Sequence, residues 1–398
     1  MARLTKEQLE DVKIKYNVKE LYSWSRISTF ITSPYEYYLK YILNIKENLD
    51  NCAYAPLGSI AHSCLERYYG GEIPYENMID EFEDGWLTTI EIADLKLDRN
   101  DEEKNQSIKQ KYKVDLEHFF RNHKPIKHEI KLEKFLATKI GDYVLQGYLD
   151  AIYHDNEGIY TIVDWKTSSK FQGKTLEEKS GQLCVYAKGL MQMGVPLEKI
   201  RCCFNMMKYC TVQYQQANGV VKTRDVERYK LGESLQSNLK VWLKKYGYED
   251  QIDNYLMMVV DTNSLECLPQ EVQDMYIVSD CYVYVDLTEK LLKKWEDEIV
   301  ATIKDIEIRT ADYNETHNEK IWWDTEESIK AQSYYFATLC GYSATLHKPY
   351  AEYLQKLESQ KTGLDFFSGV GSDLKNDNTN KDICNKGNEL DLSWLDSI

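Results

Sequence analysis

The sequence predicts a mixed α+β fold of the α/β type, with a central mixed β-sheet flanked by helices and helical elaborations at both ends. Three observations lead there. Apolar residues alternate with period two between His128 and Lys166. They recur at spacings of three and four near the N-terminus and again beyond Asp286, and turn residues separate these segments. With 398 residues, 43% of them hydrophobic, the chain can bury a sizeable core, as two or three domains or as one core with elaborations. Such a composition excludes a disordered chain.

The elements follow in order. From Ile27 to Leu43, Phe30, Ile31, Tyr35, Tyr38, Leu39 and Ile42 form a helical face, and Ser33-Pro34 suits a helix start. A second helix is expected from about Ile60 to Tyr69, stopped by Gly70-Gly71. Three consecutive antiparallel strands follow, around Ile130–Phe135, Tyr143–Leu149 and Ile159–Val163. Gly141-Asp142 and Asp155-Asn156-Glu157-Gly158 serve as their turns. A helix over Leu176–Met193 closes at Gly194-Val195-Pro196, and Ile200–Asn205 and Thr211–Tyr214 read as further short strands. Beyond Asp286 the chain reads as helical and acidic, with Trp295, Ile299 and Ile303 on one face. After Leu364 apolar density falls into a flexible tail that ends in Leu390, Leu392, Trp394, Leu395 and Ile398 among acids. The expected organisation is a helical part at 1–120, a catalytic core at 121–215, a mainly helical acidic region at 216–363, and the tail at 364–398.

Net charge is −16, from 49 Lys+Arg against 65 Asp+Glu, which at face value argues against nucleic acid. The distribution reverses that inference. Residues 1–120 carry net −7 and residues 251–398 net −15, whereas 121–250 form a positive island of +6. No apolar run approaches 18 residues, so no membrane association is expected. The ten cysteines include no Cys-x-x-Cys pair, and without a secretion signal they read as reduced thiols of a cytoplasmic protein.

Chemistry concentrates in a few short motifs. Asp164-Trp165-Lys166 ends an apolar strand, and residues two apart on a strand point to one face. Beside a divalent cation the carboxylate can ligate while the ammonium holds a water or neutralises a phosphoryl oxygen. Surface strands also carry such pairs without function. Gly147-x-x-Asp150 adds a second carboxylate on the preceding strand, and the turn at Asn156 should bring it close to Asp164. Two carboxylates and a Lys converging after apolar strands are costly to leave unpaired, which favours a metal site. Gly58-x-x-x-His62 opens a helix with Glu66 one turn later, and Gln182-x-x-x-Tyr186 sets a pair on one helical face. Alone, His62 reads as a structural histidine, and Gln182 and Tyr186 as a solvated and a core residue.

In this order, the four motifs resemble the RecB-like branch of the PD-(D/E)XK nuclease superfamily, which includes AddB-type and CRISPR-associated adaptation nucleases. Tyr22–Phe30 followed by Ser33-Pro34-Tyr35 is similar to the N-terminal motif of that branch. The resemblance implies a restriction-endonuclease-like core. It further implies that His62, Asp150, Asp164 and the Trp165 carbonyl hold Mg²⁺ or Mn²⁺, that Lys166 positions or activates the attacking water, and that Gln182 and Tyr186 orient the site or touch the scissile strand. Lys170, Lys174 and Lys179 would contact phosphates. DNA is then the expected partner, and an exonuclease of recombination, repair or phage replication, in a bacterial or phage-infected cytoplasm, the expected role. A nuclease-fold scaffold that has lost cleavage is the alternative.

One departure stands out. Many nucleases of this branch bind a 4Fe–4S cluster through four cysteines, but the matching positions here are Ser33, Ala337, Cys340 and Leu346. No cluster is expected; aromatic packing by Tyr334, Tyr335 and Phe336 would dock the terminal segments instead. The apolar residues of the tail could dock a partner protein. No phosphate-binding loop of the Gly-x-x-x-x-Gly-Lys type is present, so any helicase is another chain.

Overall fold

The computed structural model describes residues 3–49 and 51–368. In chain order it contains α1 (Lys6–Tyr16), β1 (Tyr22–Ser23), α2 (Trp24–Thr32), α3 (Pro34–Tyr37), α4 (Tyr54–Tyr69), α5 (Met78–Gly85) and α6 (Glu102–Asn122). Next come β2 (Ile130–Ile140), β3 (Tyr143–His154), β4 (Tyr160–Lys166), α7 (Gly173–Lys179), α8 (Gly181–Gln192), β5 (Ile200–Gln215) and β6 (Val221–Glu227). The remainder is α9 (Leu231–Lys245), α10 (Ile252–Thr262), α11 (Gln270–Gln273), β7 (Tyr276–Val285), α12 (Glu289–Thr316), α13 (Glu326–Ala331) and α14 (Lys348–Ser368). The described residues divide into two compact units, one of 3–24 with 53–300 and one of 25–52 with 301–368.

The first unit holds a single mixed sheet. β2, β3 and β4 form the expected antiparallel meander, and β5 pairs parallel to β4. The first half of β5 lies between β4 and β7 and its second half between β6 and β7; β1 adds a short parallel pairing to β3. One face of the sheet packs Leu132, Ala151, Val163, Trp165 and Met207 against Leu57, Leu65, Phe82, Trp86 and Phe119 of the surrounding helices. A second cluster packs Leu235, Leu239, Trp242 and Val259 against Cys210, Val212 and Tyr276. Burying the Leu, Val, Phe and Met side chains among these contributes roughly 1.5–3 kcal/mol each.

The second unit has its own aromatic core of Phe30, Tyr35, Tyr37, Tyr38, Ile306, Trp322 and Tyr342. Beneath it Ser33 Oγ lies 2.8 Å from Asp324 Oδ2 and 3.2 Å from His347 Nε2, all three side chains being buried.

Several elements depart from expectation, each for a local reason. The helical face read over 27–43 is divided between α2 and α3 at Ser33-Pro34, the expected helix start: Ser33 is extended (φ −150°, ψ 103°) because it precedes Pro34, and its hydroxyl caps the Glu36 amide at 3.0 Å. The helix over 176–193 breaks at Ser180, where the Trp24 ring fills the space that a Cβ at Gly181 would occupy. Ile200–Asn205 and Thr211–Tyr214 are one bulged strand, because Met206 and Met207 between them are fully buried and erase the alternation. The region expected to be mainly helical, 216–363, contributes β6 and β7 to the sheet. β6 is a polar edge strand with no apolar face to signal it. The proposed docking peptide lies outside the described residues. No helix among the described residues is long and apolar enough to cross a membrane.

Candidate active site

Local sequence sets three of the four supports of the site. The tight connection between β3 and β4 pairs Ala151 with Val163, which places Asp150 just past the paired segment and beside Trp165. The Trp165 amide donates to Asp150 Oδ2 at 3.1 Å. Asp164, buried on β4, lies with its Oδ2 2.6 Å from Lys166 Nζ, the same-face contact that strand alternation demands. α4 carries His62 across the ends of these strands. Its Nε2 donates to the Trp165 carbonyl at 2.9 Å, and its Nδ1 lies 3.6 Å from Asp150 Oδ2.

The electrostatics follow from burial. Desolvation, reinforced by the Asp164 charge, pushes the Asp150 carboxyl up to about 7. Burial works against the Lys166 ammonium, but Asp164 and Asp150 together outweigh it and hold its pKa above the ordinary lysine value.

Trp165 is itself held from behind. Its indole stacks on Tyr69 at 6.2 Å and 9°. The Tyr69 hydroxyl donates to His123 Nε2 at 2.7 Å, and His123 Nδ1 donates to Asp280 at 2.8 Å. The fully buried Arg228 also reaches Asp280 at 2.8 Å. Burial alone would raise the Asp280 carboxyl; His123, Arg228 and the Lys124 amide reverse that and lower it.

Gln182 and Tyr186 face β3 from α8. Gln182 Nε2 donates to the Tyr186 hydroxyl at 2.9 Å, and that hydroxyl donates to the Tyr148 carbonyl at 2.9 Å. Gly147 makes this approach possible, since a Cβ there would lie 2.7 Å from Tyr186 Cε1. The lysines after the active strand are dispersed. Lys170 pairs with Asp225 at 2.6 Å, Lys174 with Glu178 at 3.2 Å, and burial lowers the Lys179 pKa.

A cleft of about 500 Å³ opens on the site, lined by residues that include Arg3, Ser59, His62, Glu66, Glu133 and Asp150. Arg3 and Glu133 were not legible in the sequence. Glu133 sits in β2 between Leu132, opposite Ala151, and Lys134, opposite Leu149, which sets it across from Asp150. Its φ is +47°, left-handed in the middle of a strand, and glutamate carries no sequence signal for that conformation.

Among the described residues no group of three or more His, Cys, Asp or Glu side chains is arranged to hold a metal ion as it stands. The donor chemistry nevertheless suits a hard divalent cation. Asp150 and Asp164 supply carboxylates, Trp165 a carbonyl and His62 an imidazole, around a centre whose carboxylate charge Lys166 partly offsets.

A family model describing the PD-(D/E)XK nuclease superfamily matches residues 22–321. Among curated proteins none matches the chain.

Proposed function

The chain belongs to the PD-(D/E)XK nuclease superfamily, and from that premise we propose that it is a divalent-metal-dependent deoxyribonuclease that hydrolyses phosphodiester bonds. The observation that carries this reading is the convergence of Asp150, Asp164, Lys166, His62 and the Trp165 carbonyl at the ends of β3 and β4. His62, Asp150, Asp164 and the Trp165 carbonyl would hold Mg²⁺ or Mn²⁺, which when bound supplies Lewis-acid activation of the phosphoryl group and of water. The protein's own groups do the rest. The Lys166 ammonium donates to the attacking water or to a non-bridging phosphoryl oxygen as charge develops. Gln182 and Tyr186 act on the β3 backbone, which fixes where Asp150 points. The stacked Trp165 keeps its carbonyl aimed at His62.

Within the superfamily the ordered motifs favour the RecB-like branch, with likeness to AddB-type nucleases, and an exonuclease acting on DNA ends in recombination, repair or phage replication. A cytoplasmic location goes with that role. The reading includes no 4Fe–4S cluster, and its support is that the Ser33 hydroxyl is already engaged by Asp324 and His347. Iron and acid-labile sulfide in purified protein would contradict it. The competing reading, a scaffold without cleavage, draws on Lys166 clasping Asp164 and on the lack of a ready three-ligand cage among the described residues.

The test is incubation of linear and circular DNA, single- and double-stranded, with Mg²⁺ or Mn²⁺. Cleavage by the wild type that is lost in both Asp164→Asn and Lys166→Ala supports the enzyme. No cleavage of any substrate by the wild type supports the scaffold. Loss of linear but not circular DNA identifies an end-dependent exonuclease.

A further inference from the structure

The N-terminal arm reaches the same cleft. α1 is capped at both ends by residues of its own segment. Thr5 and Gln8 form a capping box at its start, Asn17 closes it in the left-handed conformation (φ 53°), and none of its residues is buried. Ile14 is 76% exposed. The arm is tied to the sheet near both ends of α1. The Leu4 amide donates to the Tyr148 hydroxyl at 2.8 Å, and the Tyr16 hydroxyl donates to the Ala137 carbonyl at 3.2 Å. The Arg3 guanidinium lies 5.4 Å from the centroid of the Tyr148 ring. Tyr148 stands two residues before Asp150 on β3 and so shares its face. The arm therefore docks on the catalytic strand itself, and Arg3 enters the cleft lined by His62, Glu66, Glu133 and Asp150.

A phosphodiester chain entering that cleft meets carboxylates on most sides. Lys166 serves the scissile phosphate, and Arg3 is the one Arg or Lys among the described residues lining the cleft. A guanidinium fork matches a phosphate in bidentate geometry and is never deprotonated in the working range. Its resting contact over a tyrosine ring at a solvent-exposed position is worth only about 0.5–1 kcal/mol, and its attraction to Glu66 across the cleft is screened by water, so a phosphate can displace both. Building on the nuclease reading above, we propose that Arg3 is a substrate-binding residue that clamps a backbone phosphate flanking the scissile bond, with α1 as the arm that carries it. The arm is a strand clamp and not a plug.

The test uses the full chain with Asp164→Asn to prevent turnover, and fluorescein-labelled single- and double-stranded oligonucleotides read by anisotropy across a salt series. Arg3→Ala should weaken binding about 5- to 10-fold and reduce the slope of log K against log salt by about 1, uniformly across sequences. Arg3→Lys should restore the slope but only part of the affinity. In the cleaving protein, Arg3→Ala should raise KM by a larger factor than it lowers kcat. Unchanged affinity and slope would overturn the proposal, as would faster cleavage by Arg3→Ala, which would make the arm an inhibitor. If the wild type cuts no DNA the nuclease reading falls, yet the binding series still reads Arg3. If cutting stands and Arg3→Ala binds as the wild type does, only the clamp falls.

Discussion

Ser33, Asp324 and His347 make a buried cluster in which two titrating groups oppose one another. The Tyr350 amide donates to His347 Nδ1 at 3.3 Å, so that nitrogen is an acceptor and the neutral ring carries its proton on Nε2. Nε2 then donates to Ser33 Oγ, which donates to Asp324 Oδ2. Desolvation pushes Asp324 up to about 7 and His347 down to about 4. For Asp324 the folded state binds its proton more tightly than the unfolded chain, so its stability contribution is full below pH 4 and is lost as pH rises to 7. For His347 the folded state resists protonation, so its contribution is full above the ordinary histidine range and is lost as pH falls towards 4. In the wild type the two slopes nearly cancel between pH 4 and 6.5, because folded and unfolded states each hold one proton on the pair. Removing one partner should uncover the other. At about 1.4 kcal/mol per pH unit, Asp324→Asn should gain about 4 kcal/mol relative to wild type between pH 4 and 7. His347→Gln should lose about 3 kcal/mol relative to wild type over pH 4 to 6.5 by the same reasoning. Urea unfolding followed by tryptophan fluorescence at half-unit pH steps reads both differences, and groups elsewhere cancel in the subtraction. Flat differences, or differences of the same sign, would refute this account.

Two further substitutions test the supports of the site. Gly147→Ala should drive a Cβ into the Tyr186 ring, destabilise the fold by about 1–3 kcal/mol and impair cleavage; Tyr186→Leu in the same chain should recover the stability but not the cleavage. A double-mutant cycle on urea midpoints, with DNA cleavage alongside, decides it. Glu133→Gly should stabilise the protein by about 1 kcal/mol by relieving the left-handed backbone, and should slow cleavage if the carboxylate serves the cleft. A Glu133→Gly variant that unfolds at lower urea than wild type would show that its side chain, not its backbone, dominates.

The sequence by itself determined what short-range physics controls. The meander of β2, β3 and β4 follows from alternation and tight turns, and turn length sets the register that brings Asp150 beside Asp164 and Lys166. Ser33-Pro34 wrote a helix boundary in the same local terms. Only the tertiary structure decided what depends on packing between distant segments. His62 meets a carbonyl 103 residues away because α4 packs its apolar face on the sheet. β7 returns from beyond residue 270 to complete β5, and Asp280 on it supports Tyr69 behind the site through His123. Arg3 reaches the catalytic strand through an exposed arm, and Glu133 lines the cleft in a backbone conformation its residue type does not favour. A side-chain pattern records which face is apolar, whereas the partner of that face is chosen only when the whole core closes.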